Sequence, residues 1–117
     1  MNHFISLQTA IDMTSLYRSQ RENILKTEFQ NQKILPLSEQ FERAPFDTLL
    51  EKENCEGLRI YYGMSEDLKI HAIIVATDEN GQDILPEENS LSNSGEDIFE
   101  NSNRCPDICP DESPLNS

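Results

Sequence analysis

Two short runs of alternating side chains constrain this sequence more than any other feature. Leu58-Arg59-Ile60-Tyr61-Tyr62 alternates apolar and polar positions through Tyr61. From Leu68 to Thr77, the side chains of Leu68, Ile70, Ala72, Ile74 and Ala76 share one face, and those of Lys69, His71, Ile73, Val75 and Thr77 share the other. A period of two belongs to a strand, because successive side chains of an extended backbone point to opposite sides. Gly63 to Asp67 supplies a turn between the runs. Beyond them, Asp78-Glu79-Asn80-Gly81-Gln82-Asp83 places Asn-Gly between extended segments, a strong hairpin signal, and Ile84-Leu85 opens a further strand. Strands are therefore expected at about 58–62, 68–77 and 82–85, in a three- to four-stranded antiparallel sheet.

The residues ahead of these runs read as helices. Phe4, Leu7, Ala10, Ile11, Tyr17, Ile24, Leu25 and Phe29 fall on one broad side at helical spacing, and Ser6 supplies an N-cap. This predicts a helix over about 6–29, roughly 36 Å long at 1.5 Å per residue. Pro45 suits the first turn of a second, short helix over about 45–54, with Phe46, Leu49 and Leu50 inward. The class expected is α+β: the long amphipathic helix and the short one packed on one face of the small sheet, as a single domain over 1–85 followed by a tail, 86–117. A sheet of three strands is only about 15 Å wide, so the first helix overhangs it. Burial of the excess against a second copy is the expected resolution, with Leu7, Ile11, Tyr17, Ile24 and Leu25 as interaction residues of a homo-oligomer.

Charge divides the chain. Its 117 residues carry a net charge of −13. Residues 1–77 hold eleven acidic and eight basic side chains, whereas residues 78–117 hold eleven acidic ones and Arg104. An acidic excess of this size argues against a nucleic-acid partner and against anionic membranes. No apolar run exceeds the five residues Ala72–Ala76, too few to span a bilayer. Met1 to Met13 lacks the basic start of a secretory signal, so the expected location is the cytoplasm, with export by an unrecognised route as the open alternative. The last third holds four of the six prolines and few large apolar residues. About 86–104 is expected to be a loosely held acidic arm, either a solvated linker or a segment that orders on a partner.

Cys105-Pro106-Asp107-Ile108-Cys109-Pro110 is the most distinctive string. Its C-x3-C spacing differs from the C-x2-C of zinc knuckles and thioredoxin-like sites. Three readings compete: a disulfide, two free thiols, or a metal site that recruits Cys55 and a histidine, His71 or His3. Redox catalysis is disfavoured, because Asp107, Asp111 and Glu112 surround the pair and oppose thiolate formation. Asp78, Asn80, Gln82 and Asp83 have oxygen ligands for calcium, yet the glycine comes too early for a calcium loop, and the hairpin turn explains the same residues. Cys55 with His71 is conceivable as a nucleophile and base, but a structural cysteine is the simpler reading. Arg59, Tyr61, Lys69 and His71 are expected on one sheet face, as a basic-aromatic patch that receives a carboxylate or as ordinary cross-strand pairing. No phosphate loop, dinucleotide fingerprint, zinc-protease helix or nucleophile elbow is present.

Three features taken together carry a resemblance: Phe46-x2-Leu49-Leu50, the strand Gly57-Leu58-Arg59-Ile60-Tyr61-Tyr62-Gly63, and the Cys105-Pro106/Cys109-Pro110 ending. Over about 41–110 the chain resembles a group of small bacterial proteins that pair a G-x-R-x-Y-x-G strand with a later hairpin and a C-P…C-P tail. The resemblance implies no catalytic residue and no cofactor, only that hairpin and cysteine tail belong to one architecture. The over-long amphipathic helix and the split of charge motivate the function expected, which is non-enzymatic: interaction or self-assembly through the first helix and the C-terminal arm. The alternative is a metal- or redox-responsive module using Cys105 and Cys109.

Overall fold

The two alternating runs form a hairpin because Ser65 to Leu68 close it tightly. Leu68 N–H donates to Ser65 O at 2.9 Å and Ser65 N–H to Lys69 O at 3.0 Å, with Leu68 in the left-handed region at φ 65°. The computed structural model describes residues 3–86, 98–100 and 102–116. Among them, in chain order, are α1 (Leu7–Gln20), a 3-10 turn (Thr27–Phe29), β1 (Ser38–Gln40), α2 (Arg43–Leu50), β2 (Gly57–Met64), β3 (Ile70–Thr77), β4 (Asp83–Ile84), β5 (Ile98–Phe99) and β6 (Asn103–Cys105). The architecture is α+β, with one two-stranded and one four-stranded antiparallel sheet.

β3 is the centre of the larger sheet. β2 runs along one side of it, from Gly57 opposite Thr77 to Met64 opposite Ile70. β4 and β5 share the other side, with Ile84 opposite Ala76 and Phe99 opposite Ile74. The second turn is the Asn-Gly hairpin anticipated from the sequence. Asp78 Oδ1 accepts the N–H groups of Asn80 and Gln82, and Gly81 takes φ 75°, which a residue without Cβ adopts freely.

The core lies on one face of β3. Ala72, Ile74 and Ala76 pack there with Leu49 of α2, and Phe41, Phe46, Cys55, Ile84 and Phe99 close around them. The rings of Phe41, Phe46 and Phe99 meet edge to face at centroid distances of 5.0–5.9 Å.

The chain divides into two compact units, Met1–Ser38 with Arg104–Ser117, and Glu39–Asn103. The boundary expected at 85–86 falls inside the second of these, and residues 87–97 of the expected loose arm lie outside the described residues. In the first unit the C-terminal segment returns to the N-terminal one: Leu37 N–H donates to Cys105 O at 2.7 Å and Arg18 Nη1 to Leu115 O at 2.6 Å. α1 belongs to this unit and α2 to the sheet's unit.

The first helix is shorter than its apolar periodicity. Ser6 caps it as expected, its Oγ accepting Thr9 N–H, but it ends at Gln20 instead of running to 29. The side chains that follow serve a chain reversal. Arg21 Nε donates to Leu35 O, and Glu22 Oε1 accepts Asn31 N–H at 2.6 Å, where Asn31 takes φ 63°. α2 similarly spans Arg43–Leu50, not 45–54. No described helix is long and apolar enough to cross a membrane.

Candidate interaction surface

Among the described strands β2 lies at the edge of its sheet, and its backbone phase determines what that edge offers. Ser65 N–H to Lys69 O fixes the bonded pairs of the ladder, so Gly63, Tyr61 and Arg59 bond to His71, Ile73 and Val75. Leu58, Ile60, Tyr62 and Met64 then sit at the non-bonded positions, and their N–H and C=O groups point away from β3. No described strand pairs with that side. The same four residues carry their side chains on the face of Ala76, Ile74, Ala72 and Ile70. α2 covers β3 there but leaves β2 open: Ile60 is 53% exposed, Tyr62 77% and Met64 60%. Free main-chain groups and an uncovered apolar row therefore coincide on one strand. Between Glu56 and Glu66 this strand contains no lysine, proline or carboxylate, the usual devices that keep an edge from pairing.

The opposite face of β2 is pinned. Arg59 Nη1 and Tyr61 Oη both donate to the carboxylate of Asp83, and Arg59 Nη2 donates to Gly81 O at 2.8 Å. Asp83 lies opposite Thr77, on the far side of β3, so the two side chains reach over the strand that carries Val75, which is buried. The hydrogen bonds with Tyr61 and then Asp83, with the Asp83 charge behind them, hold the guanidinium still more firmly protonated than usual. These contacts brace the edge strand without using its outward groups. Gly63 permits the same close approach, since a Cβ there would lie 2.7 Å from Ile73 Cδ1.

Arg59, Tyr61 and His71 share this face, as the alternation indicated, but His71 does not join the other two on Asp83. His71 Nδ1 turns to Glu100 at 3.6 Å and Glu39 at 4.0 Å. The Glu39 carboxylate accepts Ala72 N–H at 3.0 Å and Ser102 Oγ at 2.9 Å, closing the side of β3 beyond β5. An open cleft of about 350 Å³ beside His71 is lined by Gly63, Met64, Ser65, Ile73 and Glu100. Lys69 pairs instead with Asp67 in the turn. The Ser65 hydroxyl bonded to Asp67 holds that carboxyl below its ordinary value.

The residues expected to associate from the first helix are distributed differently. Ile11, Tyr17 and Leu25 are half-buried within their own unit, whereas Leu7 and Ile24 are exposed. Tyr17 Oη donates to Pro36 O at 2.7 Å, and burial pushes its phenol above the ordinary range. A cavity of about 280 Å³ lies between α1 and the C-terminal segment, lined by Thr14, Tyr17, Arg18, Leu37, Cys105 and Leu115 among others. Helix and arm, the two expected contact surfaces, meet each other here.

Of the three readings of the cysteine string, the structure has the disulfide, Cys105–Cys109, with Cα atoms 4.6 Å apart. Cys55 is free, with its thiol on Gly57 O at 3.3 Å, and packs on the core face of the sheet, opposite the face that carries His71. No thiol–imidazole pair forms. Among the described residues no three His, Cys, Asp or Glu side chains gather as a metal-binding set. Hairpin and cysteine string fall in different compact units. The feature that sequence reasoning missed is the open side of β2. Its only signal was the scarcity of edge-protecting residues between Glu56 and Glu66, where Arg59 is the one charged side chain. No protein-family model matches the chain, and neither the curated proteins nor the solved structures hold a significant match to it.

Proposed function

We propose that this chain is a non-enzymatic interaction protein that works by self-association. The observation that carries the reading is the coincidence on β2 of main-chain groups left unpaired by every described strand with the exposed side chains of Leu58, Ile60, Tyr62 and Met64. Such an edge pairs with another strand in preference to water, because backbone hydrogen bonds and apolar burial are gained together. Relative to the expectation from sequence, the associating surface moves from the first helix to the sheet. Tyr17 and Arg18 of that helix already serve contacts inside their own unit.

The test is solution mass by light scattering across a micromolar concentration series, with and without reductant. A multimer that grows with concentration and persists in reductant is the expected result. A monomer of 13.4 kDa at all concentrations up to several hundred micromolar overturns it. The redox-responsive alternative draws on the Cys105–Cys109 disulfide. It predicts instead a mass that changes when that bond is reduced.

A further inference from the structure

We propose that β2 is the seam of a symmetric dimer, in which two copies join edge to edge, antiparallel, with Tyr61 opposite the partner's Tyr61. The inference rests on the self-association reading and names its surface and register.

The outward main-chain groups belong to Leu58, Ile60, Tyr62 and Met64. An antiparallel partner satisfies them only if even positions face even positions. A two-fold axis at Tyr61 places Leu58 opposite the partner's Met64 and Ile60 opposite the partner's Tyr62. All four outward residues of each copy are then used, giving about eight backbone hydrogen bonds across the seam. An axis at Ile60 or Tyr62 leaves one outward residue per copy without a partner, so the Tyr61 register is the fullest.

Side chains favour the same register. Residues directly opposite lie on the same face, so the two apolar rows merge, and each copy covers the exposed flank of the other. Leu58 against Met64 and Ile60 against Tyr62 are all mixed apolar pairs. On the other face, Arg59, the one charged residue of β2, falls opposite the partner's Gly63, which has no side chain to obstruct it. An axis at Arg59 would set two guanidinium groups face to face. A second copy therefore matches this edge in backbone phase and apolar pairing, and the register keeps the one charged residue within β2, Arg59, away from the partner's Arg59. The result is one continuous eight-stranded sheet built from two four-stranded ones.

The experiment uses the full chain with its disulfide intact, followed by sedimentation equilibrium. Ile60→Lys puts a charge into the seam, and Tyr62→Pro removes an N–H that points away from β3, a position where an edge strand tolerates proline. Amide protection of β3 reports that each variant is folded. Both variants are expected to raise the dimer Kd at least tenfold, while Leu16→Lys on α1 leaves it unchanged. Tyr61→Cys, made with Cys55→Ser, is expected to give a covalent dimer on mild oxidation. Opposed non-bonded residues sit about 4.5 Å apart at Cα, within reach of a disulfide. Ser65→Cys in the same background is expected to stay uncrosslinked. A dimer whose mass ignores Ile60→Lys and Tyr62→Pro, or that responds to Leu16→Lys instead, overturns the seam while self-association stands. A dimer that fails to crosslink through Tyr61→Cys overturns the register. A wild-type monomer at several hundred micromolar overturns self-association itself, and the seam with it.

Discussion

Two residues sit where their chemistry is under tension, and each gives a measurable consequence. Leu68 holds φ 65° in the hairpin turn, a conformation that costs an L-residue with a Cβ about 1–2 kcal/mol. Its side chain is 41% exposed, so it returns only part of the stabilisation of a buried leucine. Leu68→Gly relieves the clash at some cost in chain entropy, and a net gain of about 0.5–1 kcal/mol in urea unfolding is expected. Tyr17 is the second case. Burial, opposed by the charges of Arg21 and Arg104, raises its pKa above 10.0. Only the neutral phenol can donate to Pro36 O. Because the folded value exceeds the unfolded one, the contribution is fully present below pH 10 and fades as pH rises through the folded pKa. Thermal unfolding should therefore show an alkaline loss of stability that Tyr17→Phe reduces. At neutral pH the same substitution costs about 0.5–1 kcal/mol for one hydrogen bond.

At the scale of elements, both cysteines of the disulfide lie in one of the two compact units. Cys105 and Cys109 enclose a short loop beside the cavity that α1 shares with the C-terminal segment. Constraint of so short a loop is worth about 2 kcal/mol in the chain-entropy account. Cys105→Ser with Cys109→Ser is expected to weaken amide protection in α1 and leave β3 protected, since the two belong to separate compact units. Hydrogen exchange read residue by residue checks this. Protection lost equally in both would show that the units unfold together. The elements also differ in how legible they were. The hairpins were plain in the sequence because alternation and turn residues such as Asn80-Gly81 are local signals. The length of α1 was not: its apolar period runs on to Phe29, and only Arg21 on Leu35 O and Glu22 on Asn31 N–H, both non-local, show why the helix stops. The disulfide was one of three open readings, since spacing alone does not pair thiols. The edge status of β2 was hidden for a similar reason. It depends on β4 and β5 both choosing the other side of β3, and β5 arrives more than twenty residues later in the chain.

At the scale of the whole molecule, association must overcome charge. Each copy carries −13, so two copies repel at distances within the Debye length, about 10 Å at 0.1 M salt and 3 Å at 1 M. β2 itself contributes no carboxylate to this, but its ends do. In the register centred on Tyr61, Glu56 approaches the partner's Glu66 at both ends of the seam, and both glutamates are exposed. Like charges so placed oppose pairing and are screened by salt. The dimer should therefore tighten as sodium chloride rises from about 0.025 to 0.5 M, the reverse of what an interface held by opposite charges shows. Glu56→Gln with Glu66→Gln is expected to tighten the dimer at low salt by several fold and to flatten its salt dependence. Glu79→Gln, on the β3–β4 turn, removes one unit of charge away from the seam, half of what the double variant removes, and should change the slope by far less than half as much. Sedimentation equilibrium of the three chains across the salt series measures all of this. A Glu79 effect half as large as that of the seam pair would mean that the repulsion is felt as net charge alone and that the ends of β2 do not face one another.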